Sequence, residues 1–203
     1  MNLPNLLTMA RMFLVPILVV VLLTEFEGRT VLGVSREVVG AAIFGIASVT
    51  DWLDGYLARR RRQITWLGQM MDPLADKLLT SAAFISLVQL GVASAWMVAL
   101  IIGREIAITG LRSLAHARGI TMPASRLGKL KMASQVAAIL MLILGHGPMP
   151  WLAPLGQVAL WVVMAAAVVS AVDYYRRFQL LTSARVVDIN LARVRNSTDR
   201  RAS

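Results

Sequence analysis

The chain alternates long apolar runs with short polar joints from its start to about position 175. Each run is close to the ~20 residues that carry an α-helix across the hydrocarbon core of a bilayer. Six spans are predicted, at roughly 5–24, 38–59, 70–90, 94–115, 128–146 and 152–175. The uncharged stretch from Leu78 to Gly103 is too long for one crossing, and the expected division is at Gly91-Val92-Ala93-Ser94. A second break is expected at Gly145-His146-Gly147-Pro148-Met149-Pro150, because Gly and Pro punctuate helices. The first run has no small-residue cleavage site behind it and further spans follow, so it is read as a span and not as a signal peptide.

Charge adds an orientation. The chain carries 21 Lys and Arg against 11 Asp and Glu, a net charge of +10. Arg59 to Arg62 follow the second run, Arg112, Arg118, Arg126, Lys129 and Lys131 cluster around the joint between the fourth and fifth, and Arg176 and Arg177 follow the sixth. With six spans all of these fall on one side. The other side keeps only Arg29 and Arg36, offset by Glu25, Glu27 and Glu37. The positive-inside rule then places both termini in the cytoplasm, and a five-span arrangement breaks the pattern. The expectation is an all-α integral membrane protein with six transmembrane helices in residues 1–178. A basic polar tail at 179–203 is expected to be loose or to lie on anionic lipid.

Composition agrees: 57% of the residues are hydrophobic, against roughly 45–50% in an ordinary soluble domain. There is no cysteine, which excludes disulfides, thiol catalysis and cysteine metal sites. The basic residues flank apolar spans and form no soluble basic face, so nucleic acid is not an expected partner. His116 and His146 have no second histidine at metal-ligand spacing, and Trp52, Trp66, Trp96 and Trp151 fall where interfacial tryptophans collect.

Against this background the segment TDWLDGYLARRRRQITWLGQMMDPLADK, Thr50 to Lys77, holds four aspartates. Asp51, Asp54, Gly55 and Ala58 recur at i, i+3, i+4 and i+7 and share one face of a helix, while Asp72 and Asp76 at i and i+4 share a face of the next. A short basic connection makes the two helices antiparallel neighbours, so both pairs lie near the same end and can converge. Four adjacent carboxylates do not all stay ionised without a counter-charge, and each is costly within a span. Pairing with Arg59 to Arg62 and Lys77 is one solution. A better one for four carboxylates on two facing helices is a divalent cation, since all-oxygen ligands suit Mg2+ or Mn2+. Two such ions bridged by carboxylates suit phosphoryl chemistry. Gly55 and Ala58 leave room for a ligand on the aspartate face, and Arg59 reaches a phosphate.

The pattern Asp-x2-Asp-Gly-x2-Ala-Arg-x8-Gly-x3-Asp-x3-Asp, here Asp51, Asp54, Gly55, Ala58, Arg59, Gly68, Asp72 and Asp76, resembles the signature of the CDP-alcohol phosphotransferases at every position. NLPNLLTMAR near the start, GREIAITGLR at 103–112, GKLKMASQ at 128–135 and MDPLADKLL around the last two aspartates resemble the bacterial phosphatidylglycerophosphate synthases of that family. Met132 departs from an expected threonine. The resemblance covers roughly residues 2–178.

It implies a six-helix CDP-alcohol phosphotransferase fold, a homodimer in the lipid bilayer, and a multi-pass protein of the bacterial cytoplasmic membrane whose active site faces the cytoplasm. The implied reaction moves the phosphatidyl group of CDP-diacylglycerol to sn-glycerol 3-phosphate, releasing CMP. Asp51, Asp54, Asp72 and Asp76 would hold two Mg2+ or Mn2+ ions, and Asp76 would also be the general base. Thr50, Gly55, Ala58, Arg59 and Gly68 would take the donor. Arg104, Arg112, Lys129 and Lys131 are the cations available to the acceptor phosphate. Pairing with Glu105 or a bond to an aspartate is the alternative for Arg104, and positive-inside anchoring the alternative for the two lysines. The aspartate pattern does not separate glycerol 3-phosphate from inositol phosphate, serine or phosphatidylglycerol as acceptor. Outside this chemistry, intramembrane carboxylates also mark cation transporters, and a catalytically dead scaffold is a further alternative.

Overall fold

The computed structural model describes residues 3–24, 30, 31, 33–61, 66–117 and 126–202. Side chains at 3–8, 30, 31, 51–61, 66–74, 76, 112, 114, 116, 117, 126–131, 177, 178 and 180–202 lie outside the description, and for these only the backbone element is given.

Six helices account for nearly all of the described chain. They are α1 (Leu3–Leu23), α2 (Arg36–Arg61), α3 (Trp66–Gln89), α4 (Ala95–Ala117), α5 (Arg126–His146) and α6 (Leu152–Ala202). The first five have 21, 26, 24, 23 and 21 residues. At 1.5 Å per residue each is about 30–40 Å long, enough to cross a bilayer core. The boundaries fall within a few residues of those read from hydropathy, because apolar run length and Gly/Pro punctuation set both.

The break at Gly91 is a helix stop built from backbone alone. Gly91 has φ +73°, the left-handed conformation that a Cβ disfavours. Its N–H donates to Val88 O (3.0 Å) and that of Val92 to Leu87 O (3.0 Å), which closes the last turn of α3 as a Schellman cap. At the second break Met149 N–H returns to Leu144 O (3.0 Å), and Leu152 starts α6. Between α1 and α2 lies an antiparallel hairpin that hydropathy does not signal, β1 (Thr30–Val31) with β2 (Val34–Ser35), paired Thr30↔Ser35 and Val31↔Val34. Two residues per strand are too few for a period-2 pattern to register.

Two features go beyond the sequence-based expectations. The segment after residue 178, expected to be loose or to lie on lipid, is helical: α6 runs for 51 residues through Ala202 without a break. No Gly or Pro stands between Leu155 and Ala202 except Gly156, so nothing in the sequence stops the helix once it has left its apolar part. The second concerns α2 and α3. Among the described residues each packs more extensively against α1 than against the other, so α1 is the element that holds the aspartate-bearing pair together. Elsewhere α5 packs on α6 and α2, and α4 on α6.

The core is apolar and shared by the helices: Leu18 and Leu22 from α1, Phe44 from α2, Leu79, Phe84 and Leu87 from α3, Ile101 from α4, Ile139, Leu142 and Ile143 from α5, and Leu160 from α6 are fully buried. Trp96 and Trp161 meet edge to face, centroids 5.7 Å apart, where α4 crosses α6. Among the described residues one segment, Leu152–Arg176 of 25 residues, is both long and apolar enough to cross a membrane, and Met9–Leu23, Lys77–Gln89 and Met132–His146 are shorter apolar pieces.

Candidate active site

The four aspartates occupy two unbroken helices. Asp51 and Asp54 lie in the C-terminal half of α2 with Gly55, Ala58 and Arg59, and Asp72 and Asp76 lie in the N-terminal half of α3 after Gly68. Helical backbone through all these positions makes the i, i+3 and i, i+4 spacings real faces and not merely sequence intervals. Residues 62–65 join the two helices, so Arg61 and Trp66 are at most about 18 Å apart and both aspartate pairs belong to the same end of the bundle. The side chains of Asp51, Asp54, Arg59, Asp72 and Asp76 lie outside the described residues, as do those of Arg112 on α4 and of Lys129 and Lys131 on α5.

What surrounds them is described. Thr50 is half-buried and its hydroxyl donates to Ala47 O at 2.9 Å, so its proton is committed to its own helix while the oxygen keeps acceptor capacity. The same carbonyl receives Arg11 Nε from α1 at 3.3 Å. Arg11 is 1% exposed and heads the large fully buried side chains among the described residues. Sequence reading gave it no role. The signal was there: it is the only charge within α1, and a charged residue inside an apolar helix marks a partner or a site. The structure puts its guanidinium against the turn of α2 that leads into Asp51.

Lys77 follows Asp76 and is half-buried. Its ammonium donates to Thr109 Oγ1 on α4, and Thr109 in turn donates to Glu105 O at 2.8 Å. Neither Lys77 nor Thr109 was assigned to the site from sequence. The pairing links residues 32 apart along the chain, and nothing local predicts it.

Arg104 sits inside α4 and is tied on two sides. Nη1 reaches Glu105 Oε1 at 3.1 Å, and Nη2 donates to Ser170 Oγ on α6 at 2.5 Å. Its side chain is 13% exposed, and the buried Nε has no hydrogen-bond partner among the described residues. The contact with Glu105 is the one weighed as the alternative to acceptor binding, and the bond to Ser170 fixes α4 against α6. Arg112 comes eight residues later on the same helix, on roughly the same side.

The donor set fits a hard divalent ion: four carboxylates, all oxygen, at helical spacings on two helices that an 18 Å connection cannot separate far. Among the described residues no other group of three His, Cys, Asp or Glu is placed to hold a metal.

Comparison with known proteins follows the same lines. Residues 1–172 match the family model described as CDP-alcohol phosphatidyltransferase. The chain is 44% identical over 182 residues to a CDP-diacylglycerol–glycerol-3-phosphate 3-phosphatidyltransferase of Bacillus subtilis, covering 87% of this chain and 94% of the relative. A protein of the same name from Rickettsia typhi is 35% identical over 177 residues (86% and 96% covered), and one from Pseudomonas fluorescens 34% over 182 (87% and 89%).

Proposed function

Since the chain belongs to the CDP-alcohol phosphatidyltransferase family, we propose that it transfers the phosphatidyl group of CDP-diacylglycerol to sn-glycerol 3-phosphate, forming phosphatidylglycerol phosphate and CMP. The observation that carries this reading is the full eight-position aspartate pattern standing on two continuous helices, in a chain 44% identical to a transferase named for that reaction.

Asp51, Asp54, Asp72 and Asp76 hold two Mg2+ or Mn2+ ions. When bound, the ions supply charge neutralisation to the donor pyrophosphate and polarise its phosphoryl oxygens. Gly55 and Ala58 keep the aspartate face open to the nucleotide, with Thr50 and Gly68 beside it, and Arg59 meets phosphate charge from one turn beyond. Asp76 accepts the proton of the acceptor hydroxyl. That oxygen forms a new ester bond to the donor's β-phosphorus as the bond to CMP breaks, and the electron pair leaves with CMP. The acceptor's own phosphate is held by Arg112, Lys129 and Lys131, with Arg104 behind them. Its tie to Ser170 presents a pre-set guanidinium, since a planar fork held by packing loses little freedom on binding. Positioning and charge do most of the work, as in other transfers at phosphorus.

The family is membrane-associated, and Leu152–Arg176 is membrane-length. Six spans, both termini in the cytoplasm, the bacterial inner membrane and a homodimer complete the reading. Large apolar side chains on the outside of the helices support a bilayer: Phe13 is 72%, Val169 68%, Val158 62% and Val49 62% exposed, a degree that water disfavours.

Purified protein in detergent with CDP-diacylglycerol, Mg2+ and a panel of alcohols tests the reaction by CMP release. Glycerol 3-phosphate is expected to be the preferred acceptor. Preference for serine or an inositol phosphate corrects the acceptor, and no release with any alcohol refutes the function.

A further inference from the structure

The bond between Lys77 and Thr109 joins two parts of the site that sequence kept separate. Lys77 belongs to α3, directly after Asp76. Thr109 belongs to α4, between Arg104 and Arg112. Adjacent helical residues point about 100° apart, so Lys77 projects to one side of the Asp72–Asp76 face. The structure shows which way it turns: towards α4, onto the Thr109 hydroxyl. Thr109 has its own proton engaged by Glu105 O at 2.8 Å, so it meets Lys77 with a lone pair. Glu105, Thr109 and Arg112 recur at i, i+4 and i+7 and share a face of α4. Arg112 lies three residues, about 4.5 Å along the axis, nearer the helix end.

We propose that Lys77, presented by Thr109, is a further binding residue for the acceptor's phosphate, and that it favours phosphorylated over neutral alcohols; this rests on the phosphatidyl-transfer reading above. A dianion entering from the end of α4 passes the helix position of Arg112 first and the Lys77 ammonium about one turn deeper. Lysine suits the inner position because a point charge takes phosphate from any approach angle, whereas the arginine fork demands one. Because Lys77 is next to Asp76 in the chain, the contact also sets the distance between the acceptor's phosphate and the group that takes its hydroxyl proton. A neutral alcohol gains nothing from the ammonium.

The test uses full-length protein in detergent with Mg2+, measuring KM for glycerol 3-phosphate and for CDP-diacylglycerol, and inhibition by inorganic phosphate. Lys77→Met keeps the stem and removes the charge. It is expected to raise the glycerol 3-phosphate KM and the phosphate inhibition constant together, by about tenfold or more, while the CDP-diacylglycerol KM stays within about twofold. Thr109→Val keeps the lysine and removes only the acceptor that presents it. It shifts the same two constants in the same direction by a smaller factor, and Thr109→Ser recovers them. These variants decide the matter even if Lys77→Met does not fold. An unchanged glycerol 3-phosphate KM in Lys77→Met or Thr109→Val, or an equal rise in both substrate KM values, overturns the proposal. Arg112→Ala separates the two levels. If it raises the acceptor KM and Lys77→Met does not, Lys77 has no such role and the function stands. If the wild type releases no CMP with glycerol 3-phosphate, both fall.

Discussion

The two ends of the helix bundle treat charge in opposite ways. At the end opposite the aspartates, Arg36 and Glu37 open α2 as a buried pair, Nε to Oε1 at 3.1 Å, and Arg36 Nη1 donates to Thr24 O at 3.1 Å at the end of α1. Glu37 also lies in the first turn of its helix, where the dipole favours a carboxylate. The α5–α6 turn closes over this pair: a Cβ on Gly147 would come within 2.8 Å of Glu37 Cγ and Oε2. Gln157 Nε2 donates to Val92 O at 2.5 Å and fastens the α3–α4 turn to α6. Among the described residues Arg36 and Glu37 match each other, next to backbone that caps them. At the other end four aspartates share a short segment, and Arg11, 1% exposed, places its Nε on the α2 backbone ahead of them. Opposite charges balanced within the chain make a structural lock. Like charges crowded on two helices make, on the proposed reading, a site that ions from outside complete.

That contrast can be broken at four points, and the largest effect belongs to the ions. Chelation with EDTA is expected to abolish CMP release, and added Mg2+ or Mn2+ to restore it, because the carboxylates need the ions to bind pyrophosphate. Turnover that persists in chelator would show that the four aspartates work without metal.

Next is Asp76→Asn, which keeps the shape and removes the proton acceptor. The loss in kcat is expected to be about 10²–10⁴-fold, while Tm stays level or rises because one of four like charges has gone. Activity within a few-fold of wild type rejects Asp76 as the base. A large fall in Tm would make the aspartate end a lock like the other.

Glu37→Ala should do the reverse. It leaves Arg36 buried beside a single carbonyl and is expected to cost about 3–5 kcal/mol of stability, read as a lower Tm in detergent, with the kcat of the folded fraction unchanged. The double replacement Arg36→Met with Glu37→Leu recovers most of it, since an apolar pair fills the same space without an ion. Loss of kcat without loss of Tm would place function at this end as well.

The smallest effect is Gly147→Ala. The added Cβ overlaps Glu37 and is expected to cost about 1–3 kcal/mol, again in Tm and not in KM. If Tm does not move, the α5–α6 turn is not pressed on the buried pair.

How much was legible beforehand follows the range of each interaction. Helix limits were readable because run length, Gly91 and the Gly147–Pro150 punctuation are local, and local signals set where a helix starts and stops. The aspartate pattern was readable because helical spacing turns sequence intervals into faces. The course of α6 beyond residue 178 was not legible, because polar composition argues for a tail on the surface while the absence of a helix stop lets the helix continue through Ala202.

By itself, then, the sequence determined six helices, the face that carries Asp51, Asp54, Asp72 and Asp76, and the all-oxygen chemistry that face offers. Tertiary structure alone decided that, among the described residues, α2 and α3 each pack more on α1 than on each other, that Arg11 sits on Ala47 O, that Arg104 is tied to Ser170, and that Lys77 turns to Thr109. Those contacts join residues from 32 to 66 positions apart. Periodicity fixes which side of a helix a residue is on. Only packing fixes which other helix that side meets.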